Sequence, residues 1–557
     1  MTFNDSTQQS FYKYLWFLIL AAALVNVSSL FVPIMEPDAG IYASVAKNMV
    51  VRNDYINLWL HNKDWLDKPH LPFWLTAFCF KLLGMHTWVY KLPAVLCSML
   101  AAYYTFLFGK KFYNHITAML ASFILLTSFH FTISNNDVRA EPFLTFFIIA
   151  AVYHFSCALA KSFSLHTLAA CFFTACALMT KGVFTIIPIG AAVSIPLILK
   201  GQWKELLHWK WIVVLLLVLV FITPELYALY TQFDLHPEKK IFGKTNVSGL
   251  RFFFWDSQVG RFFGNGPIVN ATKGSDPLFF IHTLLWAFLP WSLLMYGALF
   301  KTLQNIFLKK AVPELLSISS ICVTLILFSF SGFQLPFYTN ILFPAMALLT
   351  AHFIQEHLLM KRKLWGTVQY FISILLLLAV ILLVFIYKPG ISVVFIICIC
   401  TAFCMLFFFY RMFKTQPLLI PYLASGYAAV LLYLFLNLSF YPDIFRYQSS
   451  HQMAAYSNKQ YPGISTGLLS LYVPAAGFYL KSPLHYVLID EIRAGNIQKP
   501  FLLFVSSEEL AQLQKENIAF RQVKVFEHFN VSQLNGKFIN IHTRNKVLSK
   551  RYLLLFE

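Results

Sequence analysis

Long apolar runs broken by short polar ones set the pattern of this chain. Runs near twenty residues recur, the length that crosses the hydrocarbon core of a bilayer. They fall at Phe11–Val32, Val89–Gly109, Ile116–Ser134, Pro142–Leu159, Leu165–Thr180, Val183–Leu199, Trp211–Tyr230, Pro277–Phe300, Leu315–Ser331, Leu335–Ile354, Val368–Tyr387, Ile391–Tyr410 and Leu418–Phe440. This predicts a polytopic α-helical membrane protein of about 13 transmembrane helices. The first run is followed by no small-residue cleavage site, so it reads as a retained helix.

The loops between the runs alternate in charge. One set carries Lys110-Lys111, Lys161, Lys200 with Lys204 and Lys210, Lys301 with Lys309-Lys310, Lys361-Arg362-Lys363, and Arg411 with Lys414. The other short loops carry little more than Arg139, Lys181 and Lys388. The positive-inside rule places the basic set and the amino terminus in the cytoplasm. The first loop (31–88), the loop around Asp137, the long loop (231–276) and the tail are then expected outside.

Two stretches depart from the spanning pattern. Within the first loop, Ala39–Val51 has apolar residues at helical spacing (Ile41, Val45, Ala46, Met49), and Leu71–Leu83 is helical in character but more uniformly apolar. Both read as helices lying along the interface. After Tyr441 the apolar runs shorten to Leu468–Val473, Leu484–Leu488, Phe501–Val505, Val523–Phe526 and Phe538–Ile541, alternating with polar helix-like stretches such as Glu508–Asn517. The chain is thus expected to divide into a membrane domain (1–440) and a small C-terminal α/β domain (441–557), read as a cap or a partner-binding surface.

Composition supports this. Of the 557 residues, 58% are hydrophobic and only 12% charged, against about 25% in soluble domains. The net charge of +19 does not call for nucleic acid, because the basic residues sit in loops and meet anionic headgroups of membrane lipids. The nine cysteines lie almost entirely in apolar runs, and Cys398, Cys400 and Cys404 match no metal spacing.

The candidate chemistry gathers where charged residues stand at outer helix ends. Asp38, after Glu36-Pro37, has two roles open to it: helix N-cap, or general base or metal ligand. Asp67-Lys68-Pro69 is either a proline-stiffened turn or a site where Lys68 meets a phosphate as a point charge while Asp67 orients it or binds a cation. Glu141 opens a span, where a carboxylate is either functional or a partner of the helix dipole. Asp137, nearby, is expected to be more exposed. Lys181 goes against the positive-inside bias and calls for a partner, a phosphate or a carboxylate such as Glu141. In the long loop, Arg261 is either a bidentate phosphate clamp or a surface arginine. Tyr338 is expected at the interface. The chain has no Walker motif, dinucleotide fingerprint, GxSxG elbow or HExxH. An outward-facing site is not supplied with nucleotide sugars, so a lipid-phosphate-linked donor is the natural alternative.

Taken together, EPDAGIYASVAKNM (Glu36–Met49), DKPHLPFWL (Asp67–Leu75), RAEPFLTFF (Arg139–Phe147), MTKGVFTIIP (Met179–Pro188), Arg261-Phe262, FLPWSLL (Phe288–Leu294) and FSGFQLPFYTNILFPAMALL (Phe330–Leu349) resemble the GT-C membrane glycosyltransferases. The resemblance is to the bacterial aminoarabinose-transferase and protein-O-mannosyltransferase-like group, and it covers about Lys13–His352. It implies a multi-pass protein of the bacterial inner membrane with a periplasmic active site. It also implies inverting transfer of a sugar from a polyprenyl (undecaprenyl) phosphate donor to lipid A or lipopolysaccharide, another envelope glycan, or a protein. By the same resemblance Asp38 is the candidate base or acceptor-orienting residue and Glu141 the second carboxylate. Lys68, Lys181 and Arg261 face the donor phosphate, with Glu36, Tyr42, Asp137, Arg139 and Tyr338 in support. A divalent cation at Asp67 is the one cofactor it brings in. Two departures stand out: Ile41 occupies the place of a family arginine, and Ala271–Gly274 lacks a histidine that relatives often show, which counts against the metal. A lipid-linked glycan flippase would instead place its charges near mid-membrane in broken spans, and a non-catalytic envelope subunit would tolerate alanine at the acidic motifs.

Overall fold

The computed structural model describes residues 5–557 except 160–163, 265–266, 268–275, 361 and much of 391–416. Among the described residues, seven helices are long and apolar enough to cross a membrane, or eight if one bent pair is counted as a span. The chain is a multi-pass membrane protein.

The first nine helices are α1 (Asp5–Ser28), α2 (Asp38–Arg52), α3 (Leu71–Leu83), α4 (Thr87–Phe112), α5 (His115–Leu126), α6 (Phe129–Asn136), α7 (Glu141–Ala158), α8 (Leu165–Lys181) and α9 (Ile186–Leu199). A short α10 (Trp203–Leu206) leads into α11 (Lys210–Leu229). Leu, Ile, Val and Phe dominate the spanning helices, whose backbone groups must be satisfied internally at membrane depth.

Two expected spans are interrupted. The third bends by 51° between α5 and α6. There the Thr127 hydroxyl donates to Phe123 O and the Ser128 hydroxyl to Ile124 O, the back-bonding that bends helices. The eighth is two helices, Phe279–Ala287 and Ser292–Phe307, parted at Pro290, which offers no N–H. The two breaks meet: Phe129 N–H donates to Leu289 O at 2.9 Å, and the Trp291 indole donates to Thr127 Oγ1 at 3.0 Å. The expected span Ile391–Tyr410 lies mostly outside the described residues.

One end of the bundle joins Lys111 to Ser156, Tyr113 to Glu314 and Asn114 to Gln355. The other carries the first loop, with α2, α3 and a short hairpin of β1 (Trp59–Leu60) and β2 (Lys63–Asp64). Against this loop stands a five-stranded sheet from the tail: β3 (Thr466–Leu468), β4 (Leu484–Tyr486), β5 (Phe501–Ser506), β6 (Arg521–His528) and β7 (Ser549–Phe556). Its order is β4-β3-β5-β7-β6. β3 is parallel to both β4 and β5, whereas β7 is antiparallel to β5 and β6.

A helix of this tail, Pro474–Tyr479, docks on α2. The Ser44 hydroxyl donates to Pro474 O at 2.7 Å. The Lys47 ammonium donates to the carbonyls of Gly477, Phe478 and Leu480, which the end of that short helix leaves unpaired. Gly40 permits the approach, because a Cβ there would stand 2.7 Å from Ala475 N.

Candidate functional site

A cavity of about 210 Å³ opens at this end of the bundle. It is lined by Asp38, Ile41, Tyr42, Trp65, Asp67 and Lys68 of the first loop, by Arg139 and Glu141 at the α6–α7 corner, by Lys181 at the end of α8, and by Phe337 and Tyr338. Four segments far apart in sequence thus supply the walls.

Asp38 is the first residue of α2, after Pro37, and not its cap. Its carboxylate turns instead to Arg139, at 2.7 Å from Nη1. Burial pushes the Asp38 carboxyl above its ordinary value, while the Arg139 guanidinium pulls it back down. Arg139 also donates to Asp137 from Nε at 2.9 Å and Nη2 at 2.5 Å. Burial works against the Arg139 charge, but Asp137 and Asp38 outweigh it and raise its pKa further. Asp137 is therefore not the solvated residue its loop suggests: its side chain is 13% exposed and holds Arg139 in place.

Lys181 finds the carboxylate partner expected for it. Its ammonium pairs with Glu141, and both side chains are buried. The same ammonium lies 4.4 Å from the Tyr338 ring centre and 5.4 Å from that of Phe337. Phe337 also meets the Arg139 guanidinium at 4.6 Å, so one aromatic edge steadies both cations. Lys68 pairs with Asp67 at 2.7 Å. Tyr42 packs on Phe73 with ring centres 5.0 Å apart, and its burial raises the phenol well above its usual value.

Glu36 does not join this cavity. It accepts from Ala475 N at 3.0 Å, under the tail, because the turn at Pro37 sends it the other way from Asp38. The Arg261 side chain lies outside the described residues, as do Ala271–Gly274. The residues present do not fit a resident metal: Asp38, Asp67, Asp137 and Glu141 are each paired with a cation of the chain. Among the described residues no three His, Cys, Asp or Glu side chains form a metal-holding group.

Sequence reasoning missed three buried groups behind the cavity. Lys91, fully buried in α4, donates to Asn136 O at 2.7 Å and so fixes the approach to Asp137. His70 and Glu225 bond one another beneath the Asp67-Lys68-Pro69 turn. The available signal was an ionisable residue inside an apolar run, Lys91 in α4 and Glu225 in α11, which is costly unless it has work to do.

The family of dolichyl-phosphate-mannose-protein mannosyltransferases matches residues 67–227. The crystal structure of ArnT from Cupriavidus metallidurans bound to undecaprenyl phosphate aligns over 98% of both chains, with a TM-score of 0.70 at 16% identity. Its apo form aligns over the same shares with a TM-score of 0.73 at 15% identity.

This is the GT-C fold.

Curated relatives agree with that GT-C resemblance. Undecaprenyl phosphate-alpha-4-amino-4-deoxy-L-arabinose arabinosyl transferase 1 of Proteus mirabilis is 24% identical over 366 residues, 62% of this chain and 60% of its own length. An uncharacterised protein of Aquifex aeolicus is 25% identical over 354 residues, 63% of this chain and 66% of its own length. The chain thus spans about two thirds or less of the length of the relatives it matches. Within the GT-C fold, the cavity sits where the first loop meets the α6–α7 corner.

Proposed function

We propose that this chain transfers a sugar from a polyprenyl phosphate donor of the undecaprenyl type to lipid A or another envelope glycan. Transfer takes place at the periplasmic face of the bacterial inner membrane and inverts the anomeric carbon. One observation carries the reading: Lys181 and Tyr338 line the charged cavity and also an adjoining apolar pocket of about 90 Å³ walled by Phe184, Ile187, Phe262, Phe328 and Phe333. A charged chamber beside an apolar one suits a ligand with a phosphate head and a hydrocarbon tail. The names of the Proteus mirabilis relative and of the ligand-bound ArnT structure, both of which speak of undecaprenyl phosphate, support the same donor.

The chemistry follows from the residues. An acceptor oxygen attacks the anomeric carbon, the bond to the donor phosphate breaks, and its electron pair leaves with the phosphate. Lys68 and Lys181 meet the charge that develops there, the largest electrostatic demand of the step. A hydroxyl acceptor gives its proton to Asp38; a phosphate acceptor needs no base, and Asp38 then positions it. Glu141 holds Lys181, and Arg139 holds Asp38. The basic loops at the far end of the bundle, read by the positive-inside rule, support the periplasmic assignment.

The test is transfer in proteoliposomes carrying a sugar-linked undecaprenyl phosphate and lipid A, read by mass spectrometry. The wild type is expected to transfer and Asp38→Asn to lose transfer while still folding. Transfer that survives in Asp38→Asn would overturn the role of Asp38. Absence of transfer to any lipid in the wild type, with the donor flipped between leaflets instead, would overturn the reading.

A further inference from the structure

We propose that Glu225 and His70 form a buried positioning pair that sets where Lys68 stands; this rests on the reading of Lys68 as a contact to the donor phosphate.

Glu225 follows Pro224 in the last two turns of α11, after a long apolar run. Its side chain and that of His70 are both 0% exposed. One carboxylate oxygen, Oε2, accepts the His70 backbone N–H at 2.9 Å. The other, Oε1, lies 3.0 Å from His70 Nδ1. On the far side of the ring, Nε2 lies 2.9 Å from Ile56 O. A carbonyl only accepts, so Nε2 carries its hydrogen. A second proton then sits between Oε1 and Nδ1, and the pair is neutral overall whichever atom holds it. Every polar atom of the pair is satisfied, the condition under which a buried polar network specifies one arrangement.

The pair acts on Lys68 through the backbone. Pro69 alone separates Lys68 from His70, and its ring fixes φ. Locking the His70 N–H and ring from both sides therefore fixes the direction in which the Lys68 stem leaves the turn. The continuation of α11 (Tyr230–Asp234) and the turn after it hold the same loop at two further points. Gln232 exchanges hydrogen bonds with both Leu58 N–H and O at 2.9 Å, and it donates to Asp64 Oδ1 at 3.0 Å. Lys239 pairs with Asp64 at 2.9 Å. The wall of the cavity that bears Lys68 is thus referenced to a membrane helix as well as to its own loop.

The experiment measures undecaprenyl phosphate binding by the full chain in detergent, with thermal melting as the control for folding. Lys68→Ala is expected to weaken binding ten-fold or more, and Glu225→Leu by a similar factor. Glu225→Gln is expected to stay within about three-fold of wild type, since its oxygen still accepts the His70 N–H and its amide donates to Nδ1. Because Glu225 acts through Lys68, Lys68→Ala with Glu225→Leu is expected to bind no more weakly than Lys68→Ala alone. If Glu225→Leu does not fold, His70→Leu with Glu225→Gln, which leaves no buried charge, takes its place with the same expectations. Wild-type binding by Lys68→Ala would overturn the donor reading. Weakened binding by Lys68→Ala with wild-type binding by Glu225→Leu, or losses that multiply in the double variant, would overturn the positioning pair alone.

Discussion

Arg139 and Asp38 meet at 2.7 Å although they stand on different loops. The guanidinium that holds Asp38 is itself held by Asp137, so the first loop and the α6–α7 corner share one charge centre. The ionisation of Asp38 is accordingly set by its burial and by its neighbour across the cavity.

This relationship predicts a pH effect. Burial raises the Asp38 pKa and Arg139 lowers it. A general base works only when ionised, so activity on a hydroxyl acceptor falls as pH falls through the folded pKa of Asp38. Arg139→Gln removes the lowering partner and is expected to move the acid limb of the kcat/KM profile to higher pH, with partial recovery of activity on the alkaline side. An unmoved limb would mean that Asp38 is not the group being titrated.

A second prediction concerns Lys181 and Glu141. Removing one partner of a buried ion pair leaves the other uncompensated, at a cost of about 3–5 kcal/mol. Lys181→Met is expected to lower thermal stability by that order, and Lys181→Met with Glu141→Gln to recover most of it. Melting of the purified variants decides the matter. Equal loss in the single and double variants would assign the cost to lost packing on Tyr338.

Glu36 gives a third. Burial under the tail raises its carboxyl from the ordinary value to about 7. A carboxyl raised on folding contributes stability that is fully present below its unfolded pKa of about 4.5 and is lost as pH rises through about 7. Docking of the tail on α2 is therefore expected to loosen between these values. Glu36→Gln should flatten the pH dependence of melting across that window, and a wild-type slope in the variant would reject the assignment.

The fourth is steric. A methyl at Gly40 would lie 2.7 Å from the backbone nitrogen of Ala475, which neither helix can yield without moving. Gly40→Ala is expected to cost about 1–3 kcal/mol and to render the Pro474–Tyr479 segment sensitive to limited proteolysis. Wild-type resistance would show that the contact is slack.

What the sequence discloses follows from how local each signal is. The spanning helices are legible because twenty apolar residues need no distant partner to identify them. The need of Lys181 for a partner is legible because it breaks the charge rule of its own loop set. The break at Pro290 is obscured by an apolar run that continues through it. The pull of Arg139 and Asp137 into the cavity depends on Asp38, and the departure of Glu36 from Asp38 depends on Ala475, each supplied by another segment. The His70–Glu225 pair is the extreme case: Glu225 stands out in its apolar run, but nothing near it names its partner, and only the return of α11 to the first loop joins the two.

The three carbonyls that Lys47 binds have a consequence for the timing of biosynthesis. Helix α2, which bears Asp38, leaves the ribosome early, but Gly477, Phe478 and Leu480 follow only after the last membrane helix. Until then Lys47, Ser44 and the bare backbone of Gly40 have nothing to seat against. The seat of α2 is therefore finished only once the tail has been made, so a nascent chain arrested before residue 474 would hold every residue that lines the charged chamber and yet leave the helix that bears Asp38 undocked.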